Sequence, residues 1–122
     1  MKHKNKKIVL FIDDLRNPSD SRFDNHQCIN SGEYEVKVAR SSNEAISLTK
    51  ENGIQNIAHF CFDHDLGEKD TIRQFINWMF YDLEPKIDDL PDYTVHSDNP
   101  TAKAWIDSMF DSYIRAKFNT EE

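Results

Sequence analysis

The chain has 122 residues, 38% hydrophobic and 30% charged, with a formal charge of −7. That suits one domain spanning 1–122 with one core, and no apolar stretch approaches the roughly 18–20 residues a membrane helix needs. Four lysines fall in the first seven residues, so the remaining 11 basic and 22 acidic side chains leave −11, a field that repels duplex DNA and admits phosphate only beside local cations or a metal ion.

Residues 1–6 are a basic tail. The apolar run that follows is too short for a secretory leader, and no small-residue cleavage site appears, so the expected location is cytoplasmic. Residues 7–12, KIVLFI, are continuously apolar and β-rich, as in a strand covered on both faces. The polar stretch 14–33 reads as a loop, long enough to be functional or to hide a short helix. Residues 34–39, YEVKVA, alternate apolar and polar, which predicts a half-exposed edge strand. Ser41 to Glu44 has capping-box spacing, and Gly53 can close the helix it starts. A third strand is expected over 57–62, IAHFCF. Cys61 lies inside it as a small buried hydrophobe, and with Cys28 it forms neither a disulfide framework nor a zinc spacing.

From Thr71 to Leu83, apolar residues recur at helical spacing: Ile72, Phe75, Ile76, Met79, Phe80 and Leu83. After a loop over 84–92, YTVH at 93–96 makes a short fourth strand. Asn99 then caps a helix with Pro100 at its first position, and apolar spacing continues to Ile114. An acidic tail is expected over 118–122. No fifth β-rich run follows Pro100.

Strands alternating with helices predict a mainly parallel sheet, whose ligands lie outside the carboxyl ends of the strands. Asp13 and Asp14 follow the first strand, Asp63, His64 and Asp65 the third, and His96 and Ser97 the fourth. Singly, each has an ordinary reading: a strand-end turn, a turn closed by Gly67, a satisfied core histidine. Adjacent residues on an extended chain face opposite ways, so His64 need not share a site with its flanking acids. Acids or histidines at three strand ends together point to a functional rim.

An Asp-Asp pair after strand one and an Asp after strand three resemble response-regulator receiver domains, whose acids hold Mg²⁺ and whose strand-three Asp accepts a phosphoryl group. By position, Asp63 is that acceptor and Ser97 matches the family's Ser/Thr, but the lysine that follows a fifth strand has no counterpart here. A fuller resemblance is to a divergent branch, the cyclic-phosphate processing receiver-like domains. It rests on DDLR (Asp13, Asp14, Arg16), Arg40 after strand two, FDHDLG (Phe62 to Gly67) and HSDNP (His96 to Pro100), and spans residues 8–105.

This resemblance implies a flavodoxin-type α/β fold with four parallel strands in the order 2-1-3-4. It also implies a phosphoesterase acting on the cyclic phosphate of a nucleotide or an RNA end, an activity of the RNA-repair kind. His64 and His96 would act as general acid and base beside Asp63. Asp13, Asp14 and Asp63 would hold Mg²⁺ or Mn²⁺ or orient the histidines, with Asp65 in support. Arg16, Arg40, Ser97 and Asn99 would receive phosphate. The alternatives are a binding module for a nucleotide or protein without turnover, and a phosphoacceptor using Asp63. A rim position further predicts that the chain folds without the His96 imidazole.

Overall fold

The computed structural model describes residues 7–23, 26, 29, 31–63, 71–96 and 99–120. Four strands form one parallel sheet: β1 (Ile8–Ile12), β2 (Glu35–Ala39), β3 (Ile57–Phe62) and β4 (Asp92–Val95), in the order β2-β1-β3-β4. β1 is central and buried along its whole length, whereas β2 at the edge is exposed or half-buried until Ala39. These are the burials that the continuous and the alternating patterns predict.

Helix α1 (Ser42–Asn52) starts at Ser41, whose Oγ accepts from the Glu44 N–H at 3.0 Å. Glu44 Oε1 reaches back to the N–H of Arg40 at 2.7 Å, one residue before the usual capping-box target. Gly53 closes the helix at φ 85, a left-handed conformation that a side chain would strain. Helix α2 (Ile72–Asn77) continues as a π-helical segment, Trp78–Leu83. The segment closes when the Glu84 N–H donates to Met79 O at 3.0 Å. Such i→i+5 bonds widen the turn and break the 3.6-residue stripe, so Met79 and Phe80 are buried while Leu83 is exposed.

Helix α3 (Pro100–Thr120) follows β4, and no fifth strand occurs among the described residues. It continues past Ile114 and takes in residues 118–120, which the sequence pattern assigns to a tail. No Gly or Pro interrupts this stretch, Asp111–Arg115 is an i,i+4 pair, and Lys117 in the last turn suits the helix dipole.

All three helices pack on one face of the sheet, around Leu10, Ile12, Phe60, Phe62, Phe75, Ile106 and Phe110. Tyr93 fixes α3 to β4: its ring stacks on Phe110 at 4.0 Å, and its hydroxyl donates to Asp107 Oδ1 at 2.6 Å. Burial and the Asp107 carboxylate push the Tyr93 hydroxyl well above its ordinary pKa, so it remains a donor at neutral pH. The opposite face holds Val9, Phe11 and Cys61. It is covered by Phe23, whose buried ring comes from a short 3₁₀ turn (Ser21–Phe23), and by the half-buried Ile29.

Asn99 caps α3, its Oδ1 accepting from the N–H groups of Thr101 at 3.0 Å and Ala102 at 3.2 Å. Asn99→Ala should lower unfolding stability by about 1 kcal/mol, measured by denaturant titration. An unchanged midpoint would show that this cap contributes nothing to the fold.

Candidate functional site

Pairing register places the site. Ile12 lies opposite Ala39 and Phe62, and Phe62 opposite Val95. The next residues, Arg40, Asp13, Asp63 and His96, therefore stand in one row across the carboxyl rim. A last ladder bond holds three of them in place: Asp13 N–H to Ala39 O at 3.1 Å, Asp63 N–H to Ile12 O at 3.0 Å, and His96 N–H to Phe62 O at 2.9 Å. Strand alternation then sets direction. Asp13 follows Phe11 by two and Asp63 follows Cys61 by two, so both take the face of those residues. His96 takes it too and stacks on Phe11, with ring centroids 5.2 Å apart and planes 8° apart.

The three side chains meet. His96 Nε2 lies 3.0 Å from Asp13 Oδ2, although a whole strand stands between them. Asp13, Asp63 and His96 are all buried, and each offers one ligand atom within 4.8 Å of the others. Two carboxylates and an imidazole fit a divalent ion. With the His96 ring held by Asp13, carboxylate oxygens would be the ligands, which suits Mg²⁺ or Mn²⁺. Asp14, the adjacent acid, is half-buried and is not in this group.

Asp13 also shapes the loop after β1. Its Oδ1 accepts from the N–H groups of Leu15 at 3.0 Å and Arg16 at 2.9 Å, an Asx-type turn. Arg16 Nη1 lies 3.8 Å from Asp13 Oδ2 with its side chain one-third exposed, a loose pairing open to an incoming anion. Arg40 is placed differently. Its Nη1 donates to Asp13 O at 3.0 Å and to Arg16 O at 2.5 Å, and its Nη2 donates to Asn17 Oδ1.

The rim position expected for His96 is accompanied by close packing. The imidazole is 4% exposed and sits between Phe11 and Phe23, meeting Phe23 edge-on at 5.0 Å. It is a core contact as well as a rim group. His64, Asp65 and Ser97 lie outside the described residues. Sequence reasoning missed the loop-shaping roles of Asp13, Asn17 and Arg40. The D-x-L-R-N spacing after a strand is an Asx-turn signal that could have revealed the first of them.

A four-stranded parallel sheet with acids along its carboxyl rim defines a receiver-like domain. More narrowly, the family model for the cyclic-phosphate processing receiver domain matches residues 8–112, and the chain belongs to that family. No curated protein matches it in sequence. Among solved structures it is similar to the signal receiver domain of a protein assigned as a Luxo repressor from Vibrio parahaemolyticus, with 15% identity, 94% of this chain and 95% of that one covered, and a TM-score of 0.48. No helix among the described residues is long and apolar enough to cross a membrane.

Proposed function

We propose that the domain is a phosphoesterase that opens a cyclic phosphate on a nucleotide or an RNA end, in a cytoplasmic setting and without recourse to duplex DNA or a membrane. The observation that carries this reading is the meeting of Asp13, Asp63 and His96 on one buried rim in a chain of this family. In the reaction, water adds to phosphorus and one ribose P–O bond breaks. A base takes the proton of the water, and an acid returns a proton to the departing ribose oxygen.

His96 and His64 share those two proton transfers. Imidazole suits both, because its ordinary pKa near 6.5 makes either state accessible at neutral pH. The Asp13 carboxylate accepts from Nε2–H of His96 at 3.0 Å, a bond that supports the tautomer with its lone pair on Nδ1, so proton transfer would run through Nδ1, which is buried in this structure. Asp13 and Asp63, with Asp14 near them, would hold Mn²⁺ or Mg²⁺, which when bound would neutralise charge on the phosphate oxygens. Asp65 supports His64. Arg16 receives the phosphate together with Ser97 and the exposed Asn99, at the start of α3 where the helix dipole favours an anion.

The burial of His96 between Phe11 and Phe23 favours a second reading, a module that binds the same ligand without turnover. Against the phosphoacceptor reading, no fifth strand to carry its lysine occurs among the described residues, where helix α3 follows β4. A screen of 2′,3′-cyclic nucleotides, cyclic dinucleotides and RNA ends bearing a cyclic phosphate, with and without Mn²⁺ or Mg²⁺, separates them. Multiple turnovers of at least one substrate are expected. Stoichiometric binding without product would establish the module instead.

A further inference from the structure

We infer that Arg40 is a positioning residue for the rim, not a second phosphate ligand, and that the two arginines divide the work. The inference rests on the reading of the rim as the site. Both arginines occupy motif positions, and both carry forks suited to phosphate. Their surroundings differ.

The Arg40 fork is directed at protein oxygens: the carbonyls of Asp13 and Arg16 through Nη1, and the Asn17 side chain through Nη2. It bridges the end of β2 to three points on the loop after β1. Arg16, by contrast, is held to Asp13 only at 3.8 Å and is one-third exposed. The base of Arg40 is fixed as well, since its backbone N–H donates to Glu44 Oε1 at 2.7 Å in the first turn of α1. A capped helix thus anchors an arginine that clasps a loop.

That loop is shaped around one carboxylate. Asp13 Oδ1 accepts from the backbone of Leu15 and Arg16, and Oδ2 meets His96 Nε2 at 3.0 Å. Pinning the carbonyls of Asp13 and Arg16 holds the turn from outside while Oδ1 holds it from inside. Without the clasp, the turn opens and the Asp13 carboxylate loses its fixed approach to His96. Arg40 therefore acts on the imidazole through Asp13. Lysine cannot replace it, because one ammonium cannot reproduce a planar fork bonded to three oxygens.

The test uses the full chain and needs no turnover, so it stands apart from whether the protein is an esterase. Amide hydrogen exchange and the His96 imidazole NMR resonances are measured in wild type, Arg40→Gln, Arg40→Lys and Ser41→Ala. The last removes the cap of α1 and leaves the clasp intact. Arg40→Gln and Arg40→Lys should each speed exchange at the Leu15 and Arg16 amides at least about tenfold and shift the His96 resonances. Ser41→Ala should lower Tm and do neither. Wild-type exchange and resonances in Arg40→Gln would overturn the inference. So would Ser41→Ala reproducing the changes, because they would then report only a weakened helix.

Discussion

His96→Asn is expected to lower kcat per folded molecule by about 10²–10⁴-fold on whichever cyclic phosphate the wild type turns over, the usual range for losing one general acid or base. Asparagine keeps a hydrogen-bonding group near the Asp13 carboxylate but cannot titrate near neutrality. Stability must be measured beside turnover, because the imidazole is packed between Phe11 and Phe23. Loss of those ring contacts should cost about 1–3 kcal/mol in both His96→Asn and His96→Ala. The two roles separate once rates are normalised to the folded fraction. A purely structural histidine predicts a lower Tm with near-wild-type kcat in the molecules still folded. That outcome would remove proton transfer by His96 and favour the binding module.

Much of this site is legible in the sequence, for a geometric reason. A parallel sheet sends every carboxyl end to one rim, so the chemistry after KIVLFI, IAHFCF and YTVH had to collect there. Strand alternation carries the argument further. Asp13 stands two beyond Phe11, Asp63 two beyond Cys61, and His96 two beyond Thr94, which lies opposite Cys61, and all three meet on that face. Asp14 follows in the turn that Asp13 Oδ1 shapes and is not in this cluster.

What stayed hidden depends on side-chain reach and loop packing, which no periodicity encodes. Arg40 read as a phosphate ligand because arginine suits phosphate. That its fork clasps the loop after β1 follows from where Asn17 and two carbonyls lie in space. Phe23 sits among polar residues in a stretch with no pattern, yet it covers the second face of the sheet and borders His96. The π-helical turn at Trp78–Leu83 was likewise invisible, because its sequence satisfies an ordinary helical stripe up to Leu83.

Asp13 should prove the most sensitive position in the domain. Asp13→Ala withdraws the acceptor from two backbone N–H groups and leaves the buried His96 without its carboxylate. Stranded buried partners of this kind cost about 3–5 kcal/mol in all, against a total stability of about 5–15 kcal/mol for a typical domain. The alanine variant is therefore expected to fold poorly and to report little on chemistry. Asp13→Asn is the informative change. The N–H groups of Leu15 and Arg16 require an oxygen at the Oδ1 position, so the amide nitrogen must occupy the Oδ2 position facing His96. There it donates to Nε2, which inverts the imidazole tautomer and moves the proton to Nδ1. A histidine so arranged cannot take a proton through Nδ1, so kcat should fall by about 10²–10⁴-fold, as in His96→Asn. Loss of the carboxylate charge should also reduce the heat of Mn²⁺ binding in titration calorimetry, whereas Asp14→Ala should reduce it less. If Asp13 and His96 act as a unit, the double variant Asp13→Asn/His96→Asn will be no slower than the slower single variant. Multiplicative losses would show that the two residues contribute separately, and the carboxylate would then act through the metal or the fold rather than through the imidazole.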